Sequence, residues 1–236
     1  VKPIKKISKF FRKRYARLMN TRHFSAYLAN EKLPRLHIGC GVRTFKGWLN
    51  TDLFADPKRK VIYQDLSKKF PCQDQSFQYI FSEHVHEHFS FKEGKNVLFE
   101  CFRALKEGGV LRLATPDVDF YINLYLNRNN LDPDQKGFLR YFLDTFEDAR
   151  GYPDHAVSAL NGIFYGFGHR FISSFDCLEK ELHETGFRRV MRVQAGQSEH
   201  EHLRNLETQP GYRDTASGHN GLHFHLMANL SIEAVK

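Results

Sequence analysis

From residue 35 onward, short apolar runs alternate with amphipathic stretches. Arg35–Ile38, Lys60–Gln64, Gln78–Ser82 and Val110–Ala114 read as strands, with another inside Gly47–Leu53, because each is brief, apolar and bounded by turn residues. Val97, Leu98, Cys101, Phe102 and Leu105 recur at helical spacing, which predicts a helix over Phe91–Leu105. Lys106-Glu107-Gly108-Gly109 is expected to stop it by a glycine turn. Residues 118–168 read as helices over Phe120–Asn127, Asp134–Glu147 and about Ala156–Phe167, with aromatics that are mostly core. Ser174 is expected to cap a helix over Asp176–Thr185 that ends at Gly186, before a sixth strand at Arg189–Gln194. Phe224, Leu226, Ala228, Leu230, Ile232 and Ala234 alternate with polar positions, which predicts a last strand with His223 and His225 on one side.

This order predicts an α/β fold with a mostly parallel seven-stranded sheet covered by helices on both faces. The long connection 195–221 lets the last strand run antiparallel, and 118–168 is a helical insertion after strand five.

Charge changes the picture at one end only. The net charge is +8, yet residues 1–23 hold nine cations and no acid, and the rest has 26 cations against 27 acids. At the helical angle Ile4, Ile7, Phe10, Phe11, Tyr15, Leu18 and Met19 share one side, opposite most of those cations. Residues 1–30 therefore read as a basic amphipathic arm, suited to packing on the body or to an anionic membrane surface. The body, residues 31–236, is near neutral, so a nucleic-acid-binding face is not indicated.

The chain of 236 residues is 41% apolar, enough for one domain with a real core. No run approaches the roughly 20 apolar residues of a transmembrane helix. Cys40, Cys72, Cys101 and Cys177 are widely spaced, which argues against a zinc or disulfide framework and for reduced thiols in the cytoplasm.

The first strand runs into Gly39-Cys40-Gly41, and the second ends on Asp52. Glycines let a backbone approach a ligand closely, and a carboxylate at the next strand end can accept ribose hydroxyls. A dinucleotide fingerprint needs a third glycine where Thr44 stands, and a P-loop needs Gly-Lys-Ser/Thr, which is absent.

The motifs Leu36-His37-Ile38-Gly39-Cys40-Gly41, Asn50-Thr51-Asp52-Leu53, Gln64-Asp65-Leu66, Phe77 to His88 and Phe102 to Arg112 occur in that order. In this the chain resembles the class I S-adenosylmethionine-dependent methyltransferases, especially the methyltransferase-11-like group, whose fold is Rossmann-like. The resemblance implies that Gly39, Cys40 and Gly41 meet the methionine and ribose of the cofactor, that Asp52 binds the ribose hydroxyls, and that Asp65 and Leu66 face the adenine. It places Ser82, Glu83 and His84 beside the transferable methyl. Two positions depart from the family pattern: His37 replaces an acidic residue and Arg43 a glycine.

Methyl transfer to a hydroxyl needs an aligned acceptor and a base, for which histidine suits neutral pH. His84 and His169 are the candidate catalytic residues. If Glu83 to His88 opened a helix, His84 and His88 would share a face, as would Glu83 and Glu87, but no third metal ligand is specified and no metal is expected. Asn161, Tyr165 and Arg170 are candidates for the acceptor wall. Family analogy points to a small polar acceptor, such as a sugar hydroxyl of a glycan. The alternative is a non-catalytic binding module recruited to a membrane or polyanion by the arm.

Overall fold

The computed structural model describes residues 19–145, 155–208 and 221–236. Helix α1, residues 19–30, leads into strand β1 at Arg35–Ile38 and β2 at Leu49–Asp52. Then come β3 (Ile62–Tyr63), β4 (Phe77–Glu83), α2 (Phe91–Ala104) and β5 (Leu105–Pro116). Three helices follow: α3 (Val118–Leu126), α4 (Pro133–Thr145) and α5 (His155–Tyr165). The chain closes with α6 (Phe175–Thr185), β6 (Arg189–Val193), α7 (Gly221–Met227) and β7 (Asn229–Val235).

The seven strands form one sheet in the order β3-β2-β1-β4-β5-β7-β6. The pairings from β3 across to β5 are parallel, whereas β7 runs antiparallel to both β5 and β6. The chain moves outward through β2 and β3, then returns to place β4 on the other side of β1. That reversal opens a crevice at the carboxyl ends of β1 and β4, where ligands bind in open α/β sheets.

Strand alternation divides the core. Leu36, Ile38, Ile80, Leu111, Leu113 and Ile232 face α1, α2 and α6, where they meet Phe24, Leu98 and Leu182. On the opposite face Phe81 and Val110 pack with Trp48, Leu203 and Leu206. The β1–β2 connection is too short for a full helix. Asn50 folds it instead, accepting from the Phe45 amide at 2.9 Å and donating to the Phe45 carbonyl at 3.0 Å. The surface left bare is covered by segment 195–208.

Arg112, on that face of β5, ties this segment down. It donates to Glu207 at 2.5 Å, to Glu233 at 2.8 Å and to the carbonyls of Gln197 and Gln194. Its side chain has no exposed surface. A third apolar cluster joins α3, α4, α5 and α7 above the sheet through Tyr121, Phe138, Phe142, Ile163 and Phe224.

Two boundaries differ from expectation. The glycines after α2 do not end the helix in a loop. Leu105 is already extended (φ −75°, ψ 141°), and Lys106 to Gly109 are an irregular start of β5, with Gly108 at φ +70°. The predicted last strand begins as helix α7, because Phe224 and Ala228, four residues apart, both pack into the helical cap. Phe224 and Ala228 share a face in a strand and in a helix alike, Leu226 joins them only in a strand, and the cap decides between the two. His223 and His225 are thus helical residues. Arm residues 1–18, Phe146, Glu147 and His219 lie outside the described residues.

Candidate active site

The turn after β1 is built around two left-handed glycines, Gly39 at φ +63° and Gly41 at φ +53°. At Gly39 a Cβ would stand 2.2 Å from Val85 Cγ2, so this glycine lets the loop after β4 close on β1. At Gly41 nothing lies within 4 Å of that position, which leaves the backbone open to a ligand. The Gly41 amide donates to Asp52 Oδ2 at 2.9 Å, and the Phe54 amide donates to Asp52 Oδ1 at 2.8 Å. Both bonds fix the carboxylate at the crevice, and an ionised carboxylate keeps further lone pairs for hydroxyls. Beside it Val42, Leu53 and Phe54 are exposed, Phe54 by 81%, and form an apolar rim that an adenine could cover. The open glycine, the fixed carboxylate and this rim fit a nucleoside with an adjoining tail.

The other expected cofactor residues are placed less directly. The Cys40 thiol is pushed up to about 12, chiefly by burial, and stays protonated. Asp65 accepts from the Ser67 amide and hydroxyl, holding the turn after β3. The Leu66 side chain is packed in the main core, which leaves only its backbone to face the crevice side. Ser82 also points away from the crevice, beside Val97 and Leu98 of α2, because alternation sends its side chain to that face. His37 lies between Phe45 and Phe81 at ring distances of 4.8 and 5.1 Å, held near pKa 4 by burial, and is neutral.

Arg43 reaches across the turn. It donates to Glu83 Oε2 at 2.6 Å and to the Leu206 carbonyl at 2.7 Å. Burial pushes the Glu83 carboxyl up, but the hydrogen bond from His225 and the charge of Arg43 outweigh it and hold the group below its ordinary value.

Glu83 ends β4, and the next residue, His84, adopts φ +52°. A non-glycine residue rarely occupies that region, and such strain gathers at functional sites. Its backbone turns the imidazole toward a second chemistry-bearing group. His84 Nδ1 donates to Glu87 Oε1 at 2.8 Å, and Thr115 donates to Glu87 Oε2 at 3.1 Å. Burial would lower the His84 pKa, yet the bonded Glu87 carboxylate raises it above the ordinary value. With Nδ1 committed, Nε2 faces His225 Nε2 at 3.3 Å and the Asn229 amide at 3.1 Å. His225 Nε2 also stands 3.3 Å from Glu83 Oε1. Burial drives His225 down to about 4, so it too is neutral.

These groups border a cavity of about 350 Å³ under the helical cap. Its apolar walls are Pro116, Tyr121, Phe138, Phe142, Ile163 and Phe167. His84, His88, His169, His225 and Asn229 supply most of the polar lining. His169 is held by its Nδ1 bond to the Ile163 carbonyl at 2.7 Å and meets the His88 ring at 5.1 Å.

The supposed helix at Glu83 to His88 is a short 3-10 turn over His86–His88, so His84 and His88 diverge. Glu83, His84 and His225 bring ligand atoms within 4.8 Å of one another, as do Glu87, His88 and His169, and each set could hold a cation. In both sets the carboxylate is already bonded within the protein.

Three expected acceptor residues do not line this cavity. Asn161 bonds the Val157 carbonyl of its own helix, and Tyr165 is 83% exposed, because α5 turns Ile163 inward instead. Arg170 pairs with Glu93 at the start of α2, and its amide donates to the Glu87 carbonyl at 2.7 Å. His225 was missed because the apparent strand hid helix α7, and Asn229, the first residue of β7, was missed because nothing in the sequence pairs it with His84. The spacing of Phe224 and Ala228 was the available signal.

Residues 48–113 match a family profile described as a methyltransferase domain. No curated protein sequence matches the chain. Among solved structures, a methyltransferase of Archaeoglobus fulgidus is 15% identical, with 93% of this chain and 94% of that one covered, at a TM-score of 0.49. One from Thermotoga maritima is 16% identical over 98% and 97%, at 0.46. One from Mesorhizobium loti is 14% identical over 86% and 91%, also at 0.46. The profile match marks residues 48–113 as resembling a methyltransferase domain, and the strand order is that of a Rossmann-like α/β sheet with an antiparallel last strand.

Proposed function

We propose that this chain is a class I S-adenosylmethionine-dependent methyltransferase that transfers a methyl group to a small-molecule acceptor bound under the helical cap, with its reacting atom at His84. The cofactor supplies an activated methyl on a sulfonium. The open Gly41 backbone receives its ribose side, Asp52 accepts the ribose hydroxyls, and Leu53 and Phe54 lie against the adenine. Gly39 and Cys40 shape the turn, and Asp65 borders the adenine end. Arg43 and Glu83, oppositely charged at the mouth of the turn, suit the zwitterionic methionine tail. His84 is the proposed base, oriented by Glu87 as a carboxylate orients a catalytic imidazole. His169 contributes a neutral wall opposite.

The observation that carries this reading is the bond from His84 Nδ1 to the buried Glu87, which aims the other ring nitrogen toward the cavity. A sugar hydroxyl is not favoured, because much of the lining is aromatic. The test is transfer of labelled methyl to acceptors by the wild type and by His84→Asn, which tolerates the left-handed backbone. Loss of transfer with retained binding of S-adenosylhomocysteine supports the reading, and unchanged transfer overturns the role of His84. The division into a basic arm and an enzyme domain, and recruitment of the arm to an anionic surface, belong to the same proposal. Anionic vesicles should retain the full chain and release one lacking residues 1–23.

A further inference from the structure

We infer that the acceptor is a small, uncharged aromatic molecule whose phenolic hydroxyl is the atom methylated. This rests on the methyltransferase reading and names the substrate class of the same site.

The cavity sets the size. About 350 Å³ holds a compact molecule of one or two fused rings and little more. Its walls set the character. Phe138, Phe142 and Tyr121 pack against one another at ring distances of 5.8 to 6.4 Å, and Phe167 stands edge-on to Phe142 at 6.3 Å. Aromatic surfaces of this kind hold planar apolar bodies through offset and edge contacts.

Charge is placed behind the walls. Among the described residues, no lysine, arginine, aspartate or glutamate lines the cavity. Glu83 stands behind His225, and Glu87 behind His84. Facing rings, aliphatic groups and imidazoles, a phosphate, carboxylate or ammonium on the acceptor would lose most of its hydration without meeting a permanent counter-charge among the described lining residues. The many hydroxyls of a sugar would likewise face phenylalanine and isoleucine. Tyr121 does not alter this, since burial keeps its phenol protonated.

Hydrogen-bonding capacity is concentrated where β4 and β7 meet α7, around His84, His225 and Asn229. One hydroxyl can be served there by taking the place of the Asn229 amide at His84 Nε2. A phenol ionises near the tyrosine value of about 10, within reach of an imidazole base, whereas an aliphatic hydroxyl is far less acidic. In the step, the phenolic oxygen forms its bond to the methyl carbon as the sulfur–carbon bond breaks. The bonding pair stays on sulfur, which becomes a neutral thioether, and the phenolic proton passes to His84 Nε2.

The test uses the full chain loaded with S-adenosylhomocysteine and titrated by calorimetry with naphthol, naphthyl phosphate and methyl glucoside. Naphthol is expected to bind at least tenfold more tightly than either, and Phe167→Ala, at the exposed rim, to weaken it by about tenfold. With S-adenosylmethionine, labelled methyl should appear on the naphthol oxygen. His84→Asn should bind naphthol without transferring. Equal or tighter binding of the phosphate or the glucoside, or no naphthol binding by protein that holds S-adenosylhomocysteine, overturns the proposal. Failure to bind S-adenosylhomocysteine at all removes the methyltransferase reading, and this proposal with it.

Discussion

The Gly41 amide donates to the Asp52 carboxylate across 2.9 Å, so the turn after β1 and the end of β2 form one unit. This bond joins the part of the crevice with free space to the group that would bind a ribose. The neighbouring glycine has a different task, and the two can be separated by mutation.

Gly39→Ala places a methyl against Val85 and strains a left-handed residue. It should lower stability by about 2 kcal/mol or more. Gly41→Ala meets only the backbone penalty of about 1–2 kcal/mol, but its methyl enters the space proposed for the cofactor. Thermal unfolding should therefore show the larger loss for Gly39→Ala. Calorimetry should show weakened S-adenosylhomocysteine binding by Gly41→Ala under conditions where it remains folded.

Arg112 is a buried cation between two buried carboxylates. Arg112→Met leaves Glu207 and Glu233 without their counter-charge and should destabilise the fold by about 3–5 kcal/mol. Adding Glu207→Gln and Glu233→Leu should recover much of that loss in urea denaturation. No recovery would mean that the bonds to the 194 and 197 carbonyls hold segment 195–208 instead.

Glu87→Gln keeps the shape of the His84 partner and removes its charge. The turnover rate should fall by roughly a hundredfold or more, with S-adenosylhomocysteine binding unchanged. Since Glu87 raises the His84 pKa, its loss lowers that pKa. The acid limb of the kcat/KM profile should then move to lower pH. A limb that stays in place would assign it to another group.

Stability should fall in mild acid. His37, His86 and His225 are held at about 4 chiefly by burial, against 6.5 in the unfolded chain. Between those values the unfolded chain takes up protons that the folded one resists, so stability drops as pH falls from about 6.5 to about 4. A depression of this size is on the order of 3 kcal/mol per histidine. His84 acts in the opposite sense, its contribution being present below 6.5 and lost as pH rises through its raised value. Glu83 and Glu87 contribute above the ordinary carboxylate value and lose that contribution as pH falls through their lowered values. Urea midpoints at pH 7 and 5 should differ, and His86→Leu should narrow the difference.

Much of the sheet was legible because apolar runs between turn residues have few alternatives. Arg35–Ile38 and the Ser174-to-Gly186 helix unit emerge almost as read. The meeting of Gly41 with Asp52 was legible for the same local reason, since the two lie on adjoining strand ends. The acceptor side was not. His225 and Asn229 reach His84 only because α7 docks on the cap, a contact between residues more than 140 positions apart. The positive φ of His84 also leaves no mark in a histidine-rich stretch. Asn161 and Tyr165 shared a helix face as read, but α5 buries a different face.

The central claim is that the Gly41–Asp52 unit binds S-adenosylmethionine, and calorimetry with S-adenosylhomocysteine on the wild type and Asp52→Ala tests it most directly. The account predicts one-to-one binding by the wild type and, from the loss of charge-assisted bonds to ribose hydroxyls, a weakening of roughly tenfold to a hundredfold in the variant. No binding by the folded wild type, or equal binding by the variant, would contradict it.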